Sequence, residues 1–177
     1  MSMGKVLSIL LITILGLSAC SKKALIKPED HKTIENMVAP IIKIDNIDYL
    51  KVADMYATGQ EKINDNALLH SSSFNISANG AQSMVSIALI SNSNYIYSGT
   101  YNLEDDNQNA VVSYIDDKGT QWSSKNGHQK GSNFEIVAVE TLKNGSYLQK
   151  ATVKVACFVY NQSGAVKGIT LYTDIKY

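Results

Sequence analysis

The sequence predicts an all-β protein: an antiparallel β-sandwich or flattened barrel of about nine strands, preceded by a short helix and a tether. Three observations carry this. Beyond Ala39, apolar and polar residues alternate with a period of two through most of the chain, the pattern of strands with one buried and one wet face. Clusters of Gly, Asn, Asp and Ser interrupt that alternation every eight to fifteen residues or so. Asn79-Gly80 lies between two alternating runs, the strongest local signal for a hairpin.

Each element follows in order. Pro28-Glu29-Asp30 reads as a helix start, with proline in the first turn and two acids at the positive end of the dipole. Ile34, Met37 and Val38 follow at helical spacing, and Pro40 stops the run. Ile41 to Ile44 and Ile47 to Val52 flank Asp45-Asn46 as a hairpin. Ala53 to Leu69 carries no pattern and reads as a long loop or irregular edge. Phe74, Ile76 and Ala78 then alternate up to the Asn79-Gly80 turn, which leads into Met84 to Ile90. Tyr95 to Leu103 is expected to pair with Ala110 to Asp116 through the polar loop Glu104 to Asn109. Asp117-Lys118-Gly119 leads into Thr120 to Ser123, and Asn126 to Gly131 reads as a flexible loop. Phe134 to Leu142, Lys143-Asn144-Gly145 and Tyr147 to Tyr160 make a long hairpin. Ser163-Gly164 turns into the closing strand, on which Ile169, Leu171, Thr173 and Ile175 share one face.

The N-terminus has a different character. Lys5 precedes a nearly unbroken apolar run from Val6 to Leu17, and Leu17-Ser18-Ala19-Cys20 closes it. A run of about twelve residues is too short to span a bilayer, which takes roughly twenty. It has the form of a secretory signal with small residues before the cut. The order aliphatic-small-small-Cys resembles the lipobox of bacterial lipoproteins at all four positions. That resemblance implies a signal peptide over residues 1–19, cleavage after Ala19, and diacylglycerol and N-acyl lipid on Cys20. Two or more acyl chains hold a protein stably on a membrane. Residues 20–38 then form the lipidated cysteine, tether and helix, and residues 39–177 a single β domain. Ser21 in place of Asp after the cysteine resembles cargo sent to the outer membrane. Lys22-Lys23 in place of an acidic run points to its periplasmic face.

A second resemblance lies in the middle of the chain. Ser98-Gly99-Thr100-Tyr101-Asn102-Leu103, the run Ala110 to Tyr114, and Gly119-Thr120-Gln121-Trp122-Ser123 resemble small all-β lipoproteins of unknown function from the Bacteroides–Flavobacterium group. The likeness covers roughly Ile41 to Tyr177 and brings no catalytic residue with it. Such relatives carry glycine in the first hairpin turn, where this chain has Asp45-Asn46.

Charge narrows the partners. The chain has 16 basic and 16 acidic residues and no arginine. Loss of Lys5 with the signal leaves a net charge of −1. Affinity for nucleic acid rests on clustered positive charge, so no nucleic-acid partner is expected.

The remaining motifs define the candidate sites. With Cys20 lipidated, Cys157 has no partner for a disulfide, and it shares a strand face with Val153, Val155 and Val159 as a small hydrophobe. His31, His70 and His128 are far apart, and no metal site is expected. Glu104, Asp105 and Asp106 form a weak calcium candidate, because hard cations take several closely spaced oxygens. The loop lacks the spacing that wraps one ion. Tyr95, Tyr97 and Tyr101 are expected on one strand face, with Tyr114 on a partner strand and Trp122 beyond. Such rings could bind a glycan or extended peptide, or stabilise the sheet by cross-strand packing. No motif for a catalytic nucleophile, phosphate loop or zinc helix is present. The sequence therefore favours a non-catalytic, membrane-anchored envelope protein that binds another protein or serves a structural role. A glycan-binding module is the alternative, a hydrolase the weakest reading, and no cofactor beyond the lipid on Cys20 is expected.

Overall fold

A computed structural model describes residues 40–55, 60–64, 67–104, 109–142 and 149–177. The signal peptide, Cys20, the tether and the expected helix lie outside the described residues. Those described are built from antiparallel strands and contain no α-helix.

Twelve strands appear among them, hydrogen-bonded as one nearly closed sheet that folds into two layers. The first layer contains β1 (Ile41–Ile44), β2 (Ile47–Asp48), β7 (Gly99–Tyr101), β10 (Asn133–Thr141), β11 (Gln149–Tyr160) and β12 (Val166–Lys176). The second contains β3 (Leu50–Met55), β4 (Gln60–Asn64), β5 (Ala67–Ala78), β6 (Ala81–Ser91), β8 (Ala110–Ile115) and β9 (Gln121–Ser123). The main path runs β2-β1-β12-β11-β9-β8-β6-β5-β3. β4 also pairs with β5, and β10 pairs with β11 and β7.

Alternation decides what lies between the layers. Phe74 and Ile76 of β5 face inward with Val85, Ile87 and Leu89 of β6, and Val112 of β8 lies beside them. The other layer supplies Ile136, the odd-numbered valines of β11, and Ile169, Leu171 and Ile175 of β12. Fully burying each such side chain stabilises the fold by roughly 1.5–3 kcal/mol. The face expected of Ile169, Leu171, Thr173 and Ile175 is buried throughout.

Both short hairpins use the predicted turns. Asn79 and Gly80 have φ of 51° and 81°, the left-handed pair that matches strand twist. Asp45 and Asn46 adopt φ of 49° and 64° without glycine. The Asp45 carboxylate accepts the Gly168 N–H at 2.9 Å and pairs with Lys167 at 3.2 Å, which offsets the backbone cost.

Two expectations are corrected, and the irregular edge expected at Ala53 to Leu69 is resolved into strands. The strand expected from Ile47 to Val52 breaks at Tyr49: β2 stays with β1, and β3 crosses to pair with β5. The patternless stretch Ala53 to Leu69 holds the end of β3, all of β4 and the start of β5; register shifts at Lys51/Ala53 and Lys62/Asn64 hide its alternation. Tyr95 to Ser98 is not strand, and β7 pairs with β10 rather than β8. Here Ser91 and Ser93 hydroxyls bond to nearby backbone groups, a local alternative to a sheet ladder. Gln149 then takes the place of a strand, accepting the Ile96 N–H at 2.7 Å and donating to its carbonyl at 3.0 Å.

Charge joins β3 to β12. Beyond Tyr172, β12 has no β1 residue beside it, and Lys51 donates to the Asp174 carbonyl there at 2.7 Å. Lys51 also pairs with Asp54 and lies 5.0 Å from the Phe74 ring centroid. The Asp174 carboxylate bonds Thr152 at 2.6 Å and Lys150 at 2.8 Å. Burial raises the pKa of this carboxyl, but those bonds and the Lys51 charge outweigh it and hold it below the ordinary value. Asp174→Ala should lower stability at neutral pH by about 1–2 kcal/mol, within the range for hydrogen bonds to charged groups on a part-exposed site. Because the folded pKa is depressed, this contribution is present above the ordinary carboxylate pKa and lost as pH falls through the folded one. Urea unfolding of both proteins at pH 7 and pH 3 measures it; equal midpoints at pH 7 would refute the assignment.

Candidate functional site

The five candidate aromatic residues do not form one accessible face. Tyr114 and Trp122 are cross-strand partners on the inner side of β8 and β9, 3% and 8% exposed. Their rings pack in the core rather than offering a stacking surface. The Trp122 indole N–H donates to Asp116 at 3.1 Å, and Lys167 lies 4.8 Å from its ring centroid. Burial raises the pKa of the Tyr114 hydroxyl strongly, partly countered by its hydrogen bond to Ser83. Tyr95 and Tyr97 are 44% and 60% exposed, in the irregular segment before β7. Tyr101 packs edge-on against Phe134 and donates its hydroxyl to the Tyr97 carbonyl at 2.9 Å. Its pKa is raised, chiefly by burial.

The calcium candidate is not assembled among the described residues. Glu104 is exposed, and its backbone N–H bonds the Asn102 side chain at 2.9 Å. Asp105 and Asp106 lie outside the described residues, as do Ala19 and Cys20. No three His, Cys, Asp or Glu side chains that could hold a metal converge among the described residues.

Cys157 is buried on the valine face of β11. Burial pushes its thiol up to about 12, far from the depressed values of reactive cysteines. His70 is buried on β5, and its Nε2–H donates to the Ser93 carbonyl at 3.1 Å. Burial lowers its pKa from 6.5, although the Ser93 bond raises it in part. The loop at Gly127 to Gly131 is pinned from within, contrary to the flexible loop expected. Gln129 is buried, donating to the Ser124 and Phe158 carbonyls at 2.8 Å each and accepting from Ser132 and the Phe158 N–H. Gly127 lies against the Tyr160 ring, where a Cβ would come within 2.6 Å.

The feature that motif reading missed is the outer face of the second layer. β5, β6, β8 and β9 contain no Asp, Glu, Lys or Arg at any position. The register aligns Ser73, Ser86, Ser113 and Ser123 in one row across the four strands. The Ser73 and Ser86 hydroxyls are 2.8 Å apart. Asn75, Met84, Ile115 and Gln121 form the adjacent row. β3 extends this face with Leu50, Ala53 and Met55, whose Lys51 and Asp54 neighbours turn the other way. Leu50 is 76% exposed. At the far edge the serine row borders a shallow cleft of about 260 Å³, lined also by Gln121, Asn126 and Gln162. The outer side of the first layer, by contrast, carries Lys43, Glu135, Lys150, Lys154 and Asp174. The composition of β5 and β6 held the signal: 23 strand residues without a charge, on strands whose alternation puts half of them outward.

Comparisons with protein-family models, with curated proteins and with solved structures find no match to this chain.

Two titrating groups yield tests. Cys157 should resist maleimide in the native protein at pH 7.5 and react once urea unfolds it; rapid native labelling would contradict its burial. His70 should make stability pH-dependent. Its unfolded imidazole takes a proton below pH 6.5, while the buried one resists, so stability is full above that value and declines as pH falls below it. His70→Gln should flatten this decline between pH 7.5 and 5. An unchanged slope in urea midpoints would assign it elsewhere.

Proposed function

We propose that this chain is a lipid-anchored envelope protein, held on the periplasmic side of the outer membrane through Cys20, whose β domain is a non-catalytic module that binds another protein or serves a structural role. The observation that carries the binding reading is the uncharged outer face of β3, β5, β6, β8 and β9. Exposed protein surfaces usually mix both signs of charge, and this face instead presents hydroxyls, amides and partly exposed apolar groups. The state of the chemistry-bearing residues supports the non-catalytic part. The Cys157 thiol is raised to about 12 by burial, and His70 is committed to the Ser93 carbonyl. With Tyr114 and Trp122 covered, an aromatic glycan platform has no favouring observation.

Anchoring and binding are tested separately. In the native host, the wild-type chain should sediment with membranes and resist extraction by high salt. Cys20→Ser should leave that fraction and escape lipid-dependent cleavage. Recovery of Cys20→Ser as processed, membrane-bound protein would overturn the anchor. For binding, a photoreactive residue at position 86 should give a discrete adduct in intact cells, and one at Lys154, on the charged layer, should not. No adduct at position 86 would overturn the binding face.

A further inference from the structure

We propose that the neutral face is a contact between two copies of this chain, packed sheet against sheet about a twofold axis. The inference rests on the reading of that face as a binding surface and names its occupant. Charge is the first ground. A charged side chain brought against β5, β6, β8 or β9 would lose water and meet no counter-ion on these strands, which is costly. The fitting partner is therefore neutral over the same extent, and a second copy presents such a surface.

Hydrogen bonding is the second ground. Serine hydroxyls and the Asn75 and Gln121 amides each both donate and accept. A twofold axis brings a patch against its own copy, and a row of such groups is complementary to itself. Lysine or carboxylate rows would not be. Met84 and Ile115 in the Asn75–Gln121 row, and Ala88 and Val111 in the row on the other side of the serines, stand outward at intermediate exposure, and they would gain by losing water.

Area is the third ground. Strands about 4.8 Å apart, rising about 3.3 Å per residue over the lengths of β5, β6, β8 and β9, make a face on the order of 500 Å². A stable interface of standard size buries about 800 Å² per partner. With the six residues of β3 added the face is about 600 Å², roughly three-quarters of that standard. The exposed Leu50 and Met55 on β3 continue it at one side, and Glu61 of β4, paired with Leu69 of β5, marks a charged rim.

The test uses the full lipidated chain in detergent and in cells. Sedimentation equilibrium, corrected for bound detergent, should give twice the chain mass. Ala88→Lys and, separately, Ser113→Lys should weaken association about 100-fold, because each places like charges opposite one another across the axis. Circular dichroism checks that both variants remain folded. Lys154→Glu, on the charged layer, should leave the dimer intact. In cells, the adduct from position 86 should have the mass of two chains. A wild-type monomer at all concentrations, or a dimer unaffected by both lysine variants, would overturn the proposal. An adduct of any other mass would overturn it too while leaving the binding reading standing; no adduct at all would overturn both.

Discussion

The structure depends on β11 being long enough to serve two layers. Along one edge it pairs with β12 over eleven residues, from Lys150↔Lys176 to Tyr160↔Val166. Along the other it gives residues 149–156 to β10, and then, at Tyr160, reaches Ser123 of β9. Strands twist as they run, so the two ends of a twelve-residue strand point to different neighbours. That single handover makes two layers one hydrogen-bonded sheet. It also places Val153, Val155 and Val159 between them, at the centre of the core.

Where strands end, side chains complete the bonding. A buried backbone group without a partner costs about as much as a lost hydrogen bond, and this sheet has many short strands. Gln149 pairs with both backbone groups of Ile96, Gln129 bridges the 124–132 loop to Phe158, and Lys51 reaches the Asp174 carbonyl. Asp45 does the same for Gly168 while holding a strained turn. Fixed amides and ions thus set where the sheet opens, and they keep β9 beside β11 although β9 has only three residues. The shallow cleft beside the serine row is the outward consequence of that short strand.

The two outer faces differ for a reason rooted in the same geometry. Every outward residue contributes to solubility or to contact, and the first layer mixes lysines and carboxylates with exposed apolar residues such as Val137 and Phe158. The second presents hydroxyls, amides and small apolar groups. A charged face and a neutral one give the domain two sides that water and partners treat differently.

The sequence by itself determined the all-β class, the Asn79-Gly80 and Asp45-Asn46 turns, and the buried faces of β11 and β12. These follow from period-two alternation and from turn residues that tolerate positive φ, both local properties. The lipobox-like run ending at Cys20 is the ground of the proposed anchor. Only the tertiary structure decided that β3 leaves the first hairpin for β5, that Tyr95 and Tyr97 lie off the sheet, and that Gln129 and Gln149 are structural. Those outcomes depend on partners 18 to 53 residues away, and alternation says which residues share a face but not which strand lies alongside. The same limit hid the neutral surface: its uncharged strands were visible one by one, and only their register joined Ser73, Ser86, Ser113 and Ser123 into a single face.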